Sequence, residues 1–408
     1  RMRGEFETAL AALQLRSPEL SLRRAAVRQL RDGADESKLA LIERALAAEI
    51  DPALRAELAL LRARVLIASG DRAKRLAAAE ALAGEADPTV RNLLQERLRP
   101  AAEGGEADRE VRAAAQRALD GINSRLAWGE RAGVLFSGLS LGSILMLAAL
   151  GLAITYGLMG VINMAHGELI MIGAYATWLV QNLFRAHLPG AFDWYLAAAI
   201  PVSFLAAAAV GAVLERGVIR FLYGRPLETL LATYGVSLVL QQTVRSIFSA
   251  NNRAVETPAW LSGTWQVTSA LAITNNRLYI VLFTLLVFAA LQAVLKYTRL
   301  GLDIRAVAQN RGMARAMGIR TEWVDAMTFG LGAGIAGMAG VALSQLTNVG
   351  PNLGQSYIID SFMVVVFGGV GNLWGTLIGG MSMGVVNKLL EPYAGAVLAK
   401  IVVLVALI

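Results

Sequence analysis

The sequence contains no cysteine and only two histidines, His166 and His187. Without cysteine the chain can form no disulfide, no thiolate metal site and no cysteine nucleophile. The two histidines stand in separate segments, so we expect no metal site. The sequence also lacks the Gly-x-x-x-x-Gly-Lys-Ser/Thr loop that cradles nucleotide phosphates. We therefore expect that this chain binds no cofactor and does not hydrolyse ATP itself.

Charge is scarce after about residue 130. Residues 1–130 hold 22 of the 38 Lys and Arg and 21 of the 31 Asp and Glu, whereas the rest of the chain holds only 16 and 10. Hydrocarbon excludes a charged side chain at a cost of roughly 3 kcal/mol at the centre of a helix. The sequence therefore predicts an all-α chain with a soluble domain over 1–128 and a transmembrane domain over 129–408.

The soluble part contains an imperfect repeat. Ser17-Pro18, Asp51-Pro52 and Asp87-Pro88 recur about every 35 residues, and a degenerate copy follows at Asp108. A serine or aspartate before proline can cap and open a helix, because its side-chain oxygen accepts backbone N–H groups and proline is tolerated in the first turn. The pattern resembles HEAT-type repeats, in which pairs of helices stack into an array.

The remaining sequence is a series of apolar runs of about the length that crosses ~30 Å of hydrocarbon. The seventh run is short for a full crossing and could be re-entrant, so we expect eight or nine spans. Their approximate bounds are 133–160, 165–184, 194–222, 227–249, 278–296, 322–346, 356–370, 374–391 and 395–408.

Lysine and arginine in the short loops predict the orientation of these spans. The segments 296–320 and 216–225 are basic, so the positive-inside rule assigns them to the cytoplasm. Counting back from them places the soluble domain on the external side of the membrane. Lys388 would then lie near the external side, against the rule. Because the excess positive charge is in these loops, we expect no nucleic-acid partner.

Glycines recur within the apolar run at 322–346. Gly332, Gly334 and Gly337 match the spacing of a dinucleotide-binding loop, but that loop requires a preceding strand. Inside a hydrophobic helix, small residues instead allow a neighbouring helix to approach closely. We interpret these glycines as packing residues.

The segment Asn163-Met-Ala-His166-Gly-Glu168 combines an amide, an imidazole and a carboxylate at a predicted helix break. Ionisable groups at membrane depth usually pair and face a cavity, so these residues could line or gate a pathway. The alternative is structural: Asn163 and Glu168 would cap helix ends and His166 would bond a neighbouring carbonyl. The residues alone leave both interpretations open.

The segment from Asp303 to Ile319 is basic and partly apolar, and it predicts a short helix that stops at Gly318. Arg311 and Arg315 are four residues apart, as residues on one helix face are. Such a helix suits docking on a soluble partner. The alternative is a helix held at the membrane surface by anionic lipid.

Three motifs in order, Ile154–Glu168, Arg305–Ile319 and the glycine-rich Gly368–Gly380, resemble branched-chain amino acid-type ABC importer permeases of the LivH class. The resemblance covers about 134–408. Within this family the soluble repeats look like the N-terminal extension of UrtB-type urea permeases, which implies urea as the substrate. A branched-chain amino acid permease is the alternative within the family, and an ATP-independent channel or carrier is the alternative outside it.

The resemblance implies a permease subunit rather than an enzyme. Its partners would be a second homologous permease subunit, two cytoplasmic ATPase subunits that use ATP, a periplasmic substrate-binding protein and membrane lipid. The segment 305–319 would be the helix that enters a groove on an ATPase subunit. Its small residues would allow close approach and its polar residues would bond the partner: Arg305, Ala306, Ala308, Asn310, Arg311, Ala314, Arg315 and Gly318.

Urea is small and neutral, so a pathway for it requires amides and hydroxyls rather than a fixed charge. Such groups also serve helix packing, which is the alternative. The predicted pathway and gate residues are Thr155, Tyr156, Asn163, His166, Glu168, Gln241 and Gln242.

The two ends of the sequence are unusual. It opens Arg-Met-Arg-Gly without an apolar run and stops inside one, Ile401–Ile408. We expect a leader before it and a further tail after it.

Overall fold

The computed structural model describes residues 13–31, 36–100, 103–268 and 271–407. The chain forms two compact units. The first comprises residues 1–132 with 266–272, and the second comprises residues 133–265 with 273–408.

The first unit is built from short helices. They are α1 (Leu20–Arg31), α2 (Leu39–Ala48), α3 (Pro52–Leu66), α4 (Arg72–Leu82), α5 (Pro88–Arg97) and the first part of α6 (Arg109–Met159), with a 3₁₀ turn at Glu36–Lys38.

Aspartate caps set where these helices begin. The side chain of Asp51 accepts from the backbone N–H of Leu54 at 2.9 Å, and that of Asp87 accepts from Thr89 at 2.8 Å. Both caps confirm the Asp-Pro predictions. Asp71 caps α4 in the same way without a following proline, which the search for Asp-Pro pairs missed. Assignment to the HEAT class stays a prediction.

Two loops of this unit are held by arginine–glutamate pairs of the same geometry. Arg23 donates to both carboxylate oxygens of Glu49, at 3.0 and 3.1 Å. Arg75 donates likewise to Glu106, at 2.8 and 3.2 Å. Each arginine also donates to two carbonyls of the loop before its own helix. Each glutamate accepts a backbone N–H at the aspartate two residues further on. Each arginine therefore connects the loop before its own helix to the loop that contains its glutamate partner.

A third copy of this Glu-x-Asp pattern, Glu85–Asp87, contacts Arg64 at 3.5 and 2.6 Å. Burial by itself raises the pKa of Glu49 and Glu106, but the guanidinium and backbone N–H donors outweigh it. The pKa of both carboxyl groups is therefore lowered from its usual value. The pattern joins helices to neighbouring loops electrostatically, beside the apolar clusters that form the core of this unit.

We expect Glu106→Gln to lower the free energy of unfolding of the first unit by about 2 kcal/mol at neutral pH. Because the folded-state pKa is depressed, this stabilisation is complete above the ordinary glutamate pKa of about 4 and is lost as pH falls through the folded-state value. Hydrogen exchange of α4 and α5 peptides in the full chain should show faster exchange in the variant, and the difference should shrink in acid.

Glu57→Gln is the matched control, since Glu57 is exposed and forms no ion pair with a described residue. Equal protection of α4 and α5 in the Glu106 and Glu57 variants would show that the pair does not stabilise this unit.

The second unit contains the rest of α6 and nine further helices among the described residues, with 3₁₀ turns at Pro189–Trp194 and Ile219–Phe221. The helices are α7 (His166–His187), α8 (Tyr195–Gly217), α9 (Pro226–Phe248), α10 (Asn275–Tyr297), α11 (Arg299–Gln309), α12 (Arg311–Ala316), α13 (Thr321–Ser344), α14 (Gln355–Gly368) and α15 (Leu373–Leu407). Two short strands, β1 (Thr264–Thr268) and β2 (Leu271–Thr274), pair between α9 and α10, and the part of them within 266–272 belongs to the first unit. The all-α prediction omitted them.

Four helical segments of the described residues are long and apolar enough to cross a membrane: Arg109–Met159, Pro189–Phe221, Asn275–Tyr297 and Thr321–Ser344. The helices α7 and α9 also coincide with predicted spans, and the short run near 356–370 is the 14-residue α14. Within α15, Gly395 has a left-handed φ of +74° and interrupts the helical geometry, one residue after the predicted gap at 392–394. The total of eight or nine spans stays a prediction.

The helix α13 lies at the centre of this unit, packed against α7 and α8. A Cβ atom on Gly337 would lie 2.6 Å from the carbonyl oxygen of Ser203 on α8, and one on Gly332 would lie 2.7 Å from that of Gly151 on α6. Any side chain at these positions would force the helices apart. The packing interpretation of the glycines is confirmed, and no βαβ unit surrounds them in the described chain.

Candidate functional site

The helix break predicted at Asn163 separates α6 from α7. Gly160 adopts a left-handed φ of +68° after the last turn of α6, which glycine allows without strain. The Asn163 side-chain oxygen accepts from the N–H of Ala165 at 3.0 Å, and the N–H of Met164 donates to Thr233 of α9 at 3.1 Å. The Asn163 Nδ2 is buried and has no partner among the described residues.

His166 is fully buried at the first residue of α7. Its Nε2 lies 2.8 Å from the carbonyl oxygen of Ala148 on α6. Since a carbonyl can only accept, Nε2 is the donor and carries the proton. The other ring nitrogen, Nδ1, has no partner among the described residues. The predicted bond from His166 to a carbonyl is therefore present, and one acceptor nitrogen is left over.

Glu168 pairs with an amide from another helix. Gln241 of α9 donates from Nε2 to Glu168 Oε1, and the same Nε2 lies 3.5 Å from the hydroxyl oxygen of Ser237. Both Glu168 and Gln241 are buried. Glu168 also lies in the first turn of α7, where a carboxylate stabilises the N-terminal end of a helix, so the capping interpretation of this residue stays open beside the pathway interpretation.

The buried face of α9 is mostly polar. Four of its five buried residues recur at intervals of four and carry a hydroxyl or amide: Thr229, Thr233, Ser237 and Gln241. Together with the residues around the helix break, three of these side chains form a set that we call the polar seam: Asn163, His166, Glu168, Thr233, Ser237 and Gln241. Sequence reasoning missed Thr233 and Ser237, although the four-residue spacing back from Gln241 could have found them.

Three predicted pathway residues lie outside the polar seam. The Thr155 hydroxyl donates to carbonyls of its own helix, at 3.2 and 3.4 Å. The ring of Tyr156 packs edge-on against Phe362, with centroids 6.2 Å apart. Gln242 is exposed, one residue beyond the buried Gln241. The structure does not bring these three side chains to the others.

The basic segment is two helices and not the single helix predicted. Asn310 separates α11 from α12 with extended backbone angles of φ −155° and ψ 98°. Its side-chain oxygen accepts from the N–H of Met313 at 3.0 Å, so the asparagine caps α12 instead of continuing α11. The stop at Gly318 is confirmed, since this residue adopts a φ of +88°.

Arg311 holds α12 to the central helix. It donates to both carboxylate oxygens of Asp325 on α13, one of them at 3.3 Å. Its guanidinium carbon lies 4.6 Å from the ring centroid of Tyr223. Arg315 donates to the Thr321 hydroxyl at 3.1 Å. Arg311 is therefore bonded within the chain, and its predicted contact with an ATPase subunit stays a prediction.

The other predicted coupling residues differ in how far their side chains are exposed. Arg305 donates to the Leu295 carbonyl at the end of α10, and Ala314 is buried. Ala306 is partly buried, while Ala308 is exposed. Two apolar side chains that the sequence analysis omitted, Met313 and Met317, are 61% and 77% exposed on or beside α12.

A polytopic helical unit with a buried polar seam and a basic cluster at the end of its central helix has the features of a membrane permease. Residues 134–408 match the family described as "Branched-chain amino acid transport system / permease component". The chain belongs to this family, as its motifs predicted.

Relatives share this second unit. The high-affinity branched-chain amino acid transport system permease protein LivH of Salmonella typhimurium is 35% identical over 268 residues, which is 64% of this chain and 85% of that protein. The corresponding protein BraD of Pseudomonas aeruginosa is 32% identical over 257 residues, 62% of this chain and 83% of its own. The ribose import permease protein RbsC of Escherichia coli is 32% identical over 110 residues, 25% of this chain and 34% of its own. No solved structure matches.

The family consists of permease subunits of ABC importers, so this chain is a transport subunit and not an enzyme. Together with the apolar helices, membership makes it a multi-pass protein of the inner membrane.

If Asp325 fixes α12, neutralising it should release that helix. The chain has no native cysteine, so a single Ala314→Cys substitution reports on this site; Ala314 is 5% exposed. We expect the introduced thiol to react slowly with a water-soluble maleimide, and roughly tenfold faster when Asp325→Asn is added, because a charged hydrogen-bonded pair contributes about 1.5–3 kcal/mol.

Glu322→Gln is the matched control for this labelling experiment. Glu322 is exposed and lies 3.7 Å from Arg220, so its loss should leave the labelling rate unchanged. Equal rates in the Asp325 and Glu322 variants would refute the positioning role of Arg311.

Proposed function

We propose that this chain forms half of the translocation pathway of an ABC importer whose substrate is urea. The observation that carries the proposal is the polar seam, because buried hydroxyl, amide and carboxyl groups at membrane depth are costly unless they serve a pathway or one another. Two of its groups, Asn163 Nδ2 and His166 Nδ1, have no partner among the described residues.

The unpaired groups favour a small neutral substrate. The amide of Asn163 is a donor and the Nδ1 of His166 is an acceptor, which complement the carbonyl and the N–H groups of urea. The seam contains no lysine or arginine, whereas a zwitterionic amino acid would gain from a cation beside its carboxylate. The N-terminal repeats, which resemble the extension of urea permeases, support the same substrate.

Branched-chain amino acids are the second candidate substrate. The names of the relatives LivH and BraD support it, since both are permeases of branched-chain amino acid systems. These relatives match only 62–64% of this chain, so the likeness does not bear on the first unit.

The proposed complex contains a second homologous permease subunit, two ATPase subunits and a periplasmic binding protein. The exposed Met313 and Met317 beside α12 would contact an ATPase subunit. Closure of the ATPases would then shift α12, and the Arg311–Asp325 pair would pass the shift to α13. The basic segments 216–225 and 296–320 support a cytoplasmic position for this end, with the first unit in the periplasm.

Substrate choice can be tested by uptake into proteoliposomes that contain the full complex and its binding protein. We expect ATP-dependent accumulation of radiolabelled urea and no accumulation of leucine. Leucine uptake without urea uptake would establish the second candidate. Urea flux that persists without ATP or ATPase subunits would instead identify a channel or carrier.

The neighbouring residues Gln241 and Gln242 provide a matched pair of variants. Gln241→Ala removes the amide that bonds Glu168 and leaves a buried carboxyl group without this donor, at a cost of about 1–3 kcal/mol. We expect roughly tenfold slower uptake with normal assembly of the complex. Gln242→Ala alters an exposed side chain and should transport at the wild-type rate. The same uptake rate in both variants would exclude the polar seam from the pathway.

A further inference from the structure

A basic cavity lies where α8 ends and α13 begins. Its volume is about 680 Å³, and α12 forms a third side. Five arginines line it, against three acidic residues, Glu215, Glu322 and Asp325. The arginines are Arg216, Arg220, Arg311, Arg315 and Arg320.

Three of these guanidinium groups are available to an anion. Arg311 is paired with Asp325, and Arg220 lies 3.7 Å from Glu322. Arg216, Arg315 and Arg320 form no ion pair with any residue in the described ranges, although Glu215 attracts Arg216 and Asp325 attracts Arg315 at longer range. Arg315 hydrogen-bonds the neutral hydroxyl of Thr321. The cavity therefore has an excess of positive charge with unused donors.

An apolar groove continues from this cavity along the same two helices. It has a volume of about 470 Å³ and shares Arg216 and Trp323 with the basic cavity. Beyond them it is lined by Ala212, Val213, Gly217, Ala326 and Met327 of α8 and α13. Val213 is 69% exposed and Met327 is 42% exposed. The groove thus opens toward the apolar surroundings of the membrane helices.

We propose that this continuous surface binds one phospholipid with an anionic headgroup. The phosphate would contact Arg216 and Arg320, since guanidinium groups bond phosphate oxygens in bidentate fashion. An acyl chain would occupy the groove beside Val213. Trp323 stands where the two parts meet, and indole rings favour the boundary between headgroups and hydrocarbon.

The adjoining apolar groove is the reason for choosing a lipid over a free phosphate or a protein. A free phosphate would use the arginines and leave the groove empty. A docked acidic protein would use the arginines from the aqueous side and would also leave the groove empty. Only a lipid satisfies a cluster of cations and a lipid-facing apolar channel with one molecule.

A lipid at this position would support α12. The cavity walls come from α8, α12 and α13, so one headgroup would contact the three elements around the Arg311–Asp325 pair. A bound lipid would stabilise α12 against the central helix whichever substrate the chain transports.

Native mass spectrometry of the full chain in detergent tests the proposal, with phosphatidylglycerol and phosphatidylethanolamine as probes. We expect one tightly retained phosphatidylglycerol, and an affinity about 30-fold lower in Arg216→Gln/Arg320→Gln, since two cations near the headgroup are lost. Lys296→Gln/Arg299→Gln is the matched control. It removes two exposed cations of the same basic segment that do not line the cavity, and it should retain the lipid.

Two further measurements identify the ligand. Val213→Trp fills the groove while leaving the arginines in place, so it should weaken phosphatidylglycerol binding. In the unmodified chain, millimolar inorganic phosphate should not displace the bound lipid. Displacement of the lipid by millimolar phosphate, together with normal binding in Val213→Trp, would show an anion site and overturn the proposal. Loss of ATPase subunits from the arginine variant with unchanged lipid retention would show a protein-docking surface and would also overturn it.

Discussion

The close packing of α13 against its neighbours is the constraint on which both polar regions of the membrane unit depend. Helices in lipid gain little from the hydrophobic effect, so van der Waals contact between backbones holds them together. Gly332 and Gly337 permit that contact because a Cβ at either position would lie within 2.7 Å of a carbonyl oxygen on another helix. The helix α13 thereby holds Asp325 at one end and contacts α7, which carries Glu168.

Two of the buried acids of this unit, Glu168 and Asp325, follow the same physical rule. A carboxyl group at membrane depth requires donors close at hand. Glu168 accepts a hydrogen bond from the side-chain amide of Gln241 on α9, and Asp325 accepts two hydrogen bonds from the guanidinium group of Arg311 on α12. Each pairing joins a well-packed helix to one with an exposed face. The proposed transport function assigns movement to α12, and the Arg311–Asp325 pair passes that movement to α13.

Local residue chemistry was the most predictable part of the site. The break at Asn163, the stop at Gly318 and the caps at Asp51 and Asp87 depend on a few neighbouring residues, so each could be read from short segments. The prediction of a single helix across Asn310 was wrong. It relied on the helical spacing of Arg311 and Arg315 and overlooked that asparagine favours the N-cap position. Arg311 could not be assigned, since its partner Asp325 belongs to a different helix.

By itself, the sequence determined the division into a charged and an apolar part, the family and the position of most membrane helices, because these depend on composition and on order along the chain. Only the tertiary structure decided that Gln241 meets Glu168 while Gln242 is exposed. It alone also joined a basic cavity to an apolar groove at Trp323. Both outcomes depend on which faces of separate helices meet, and that is set by packing across the whole unit and not by neighbours in the chain.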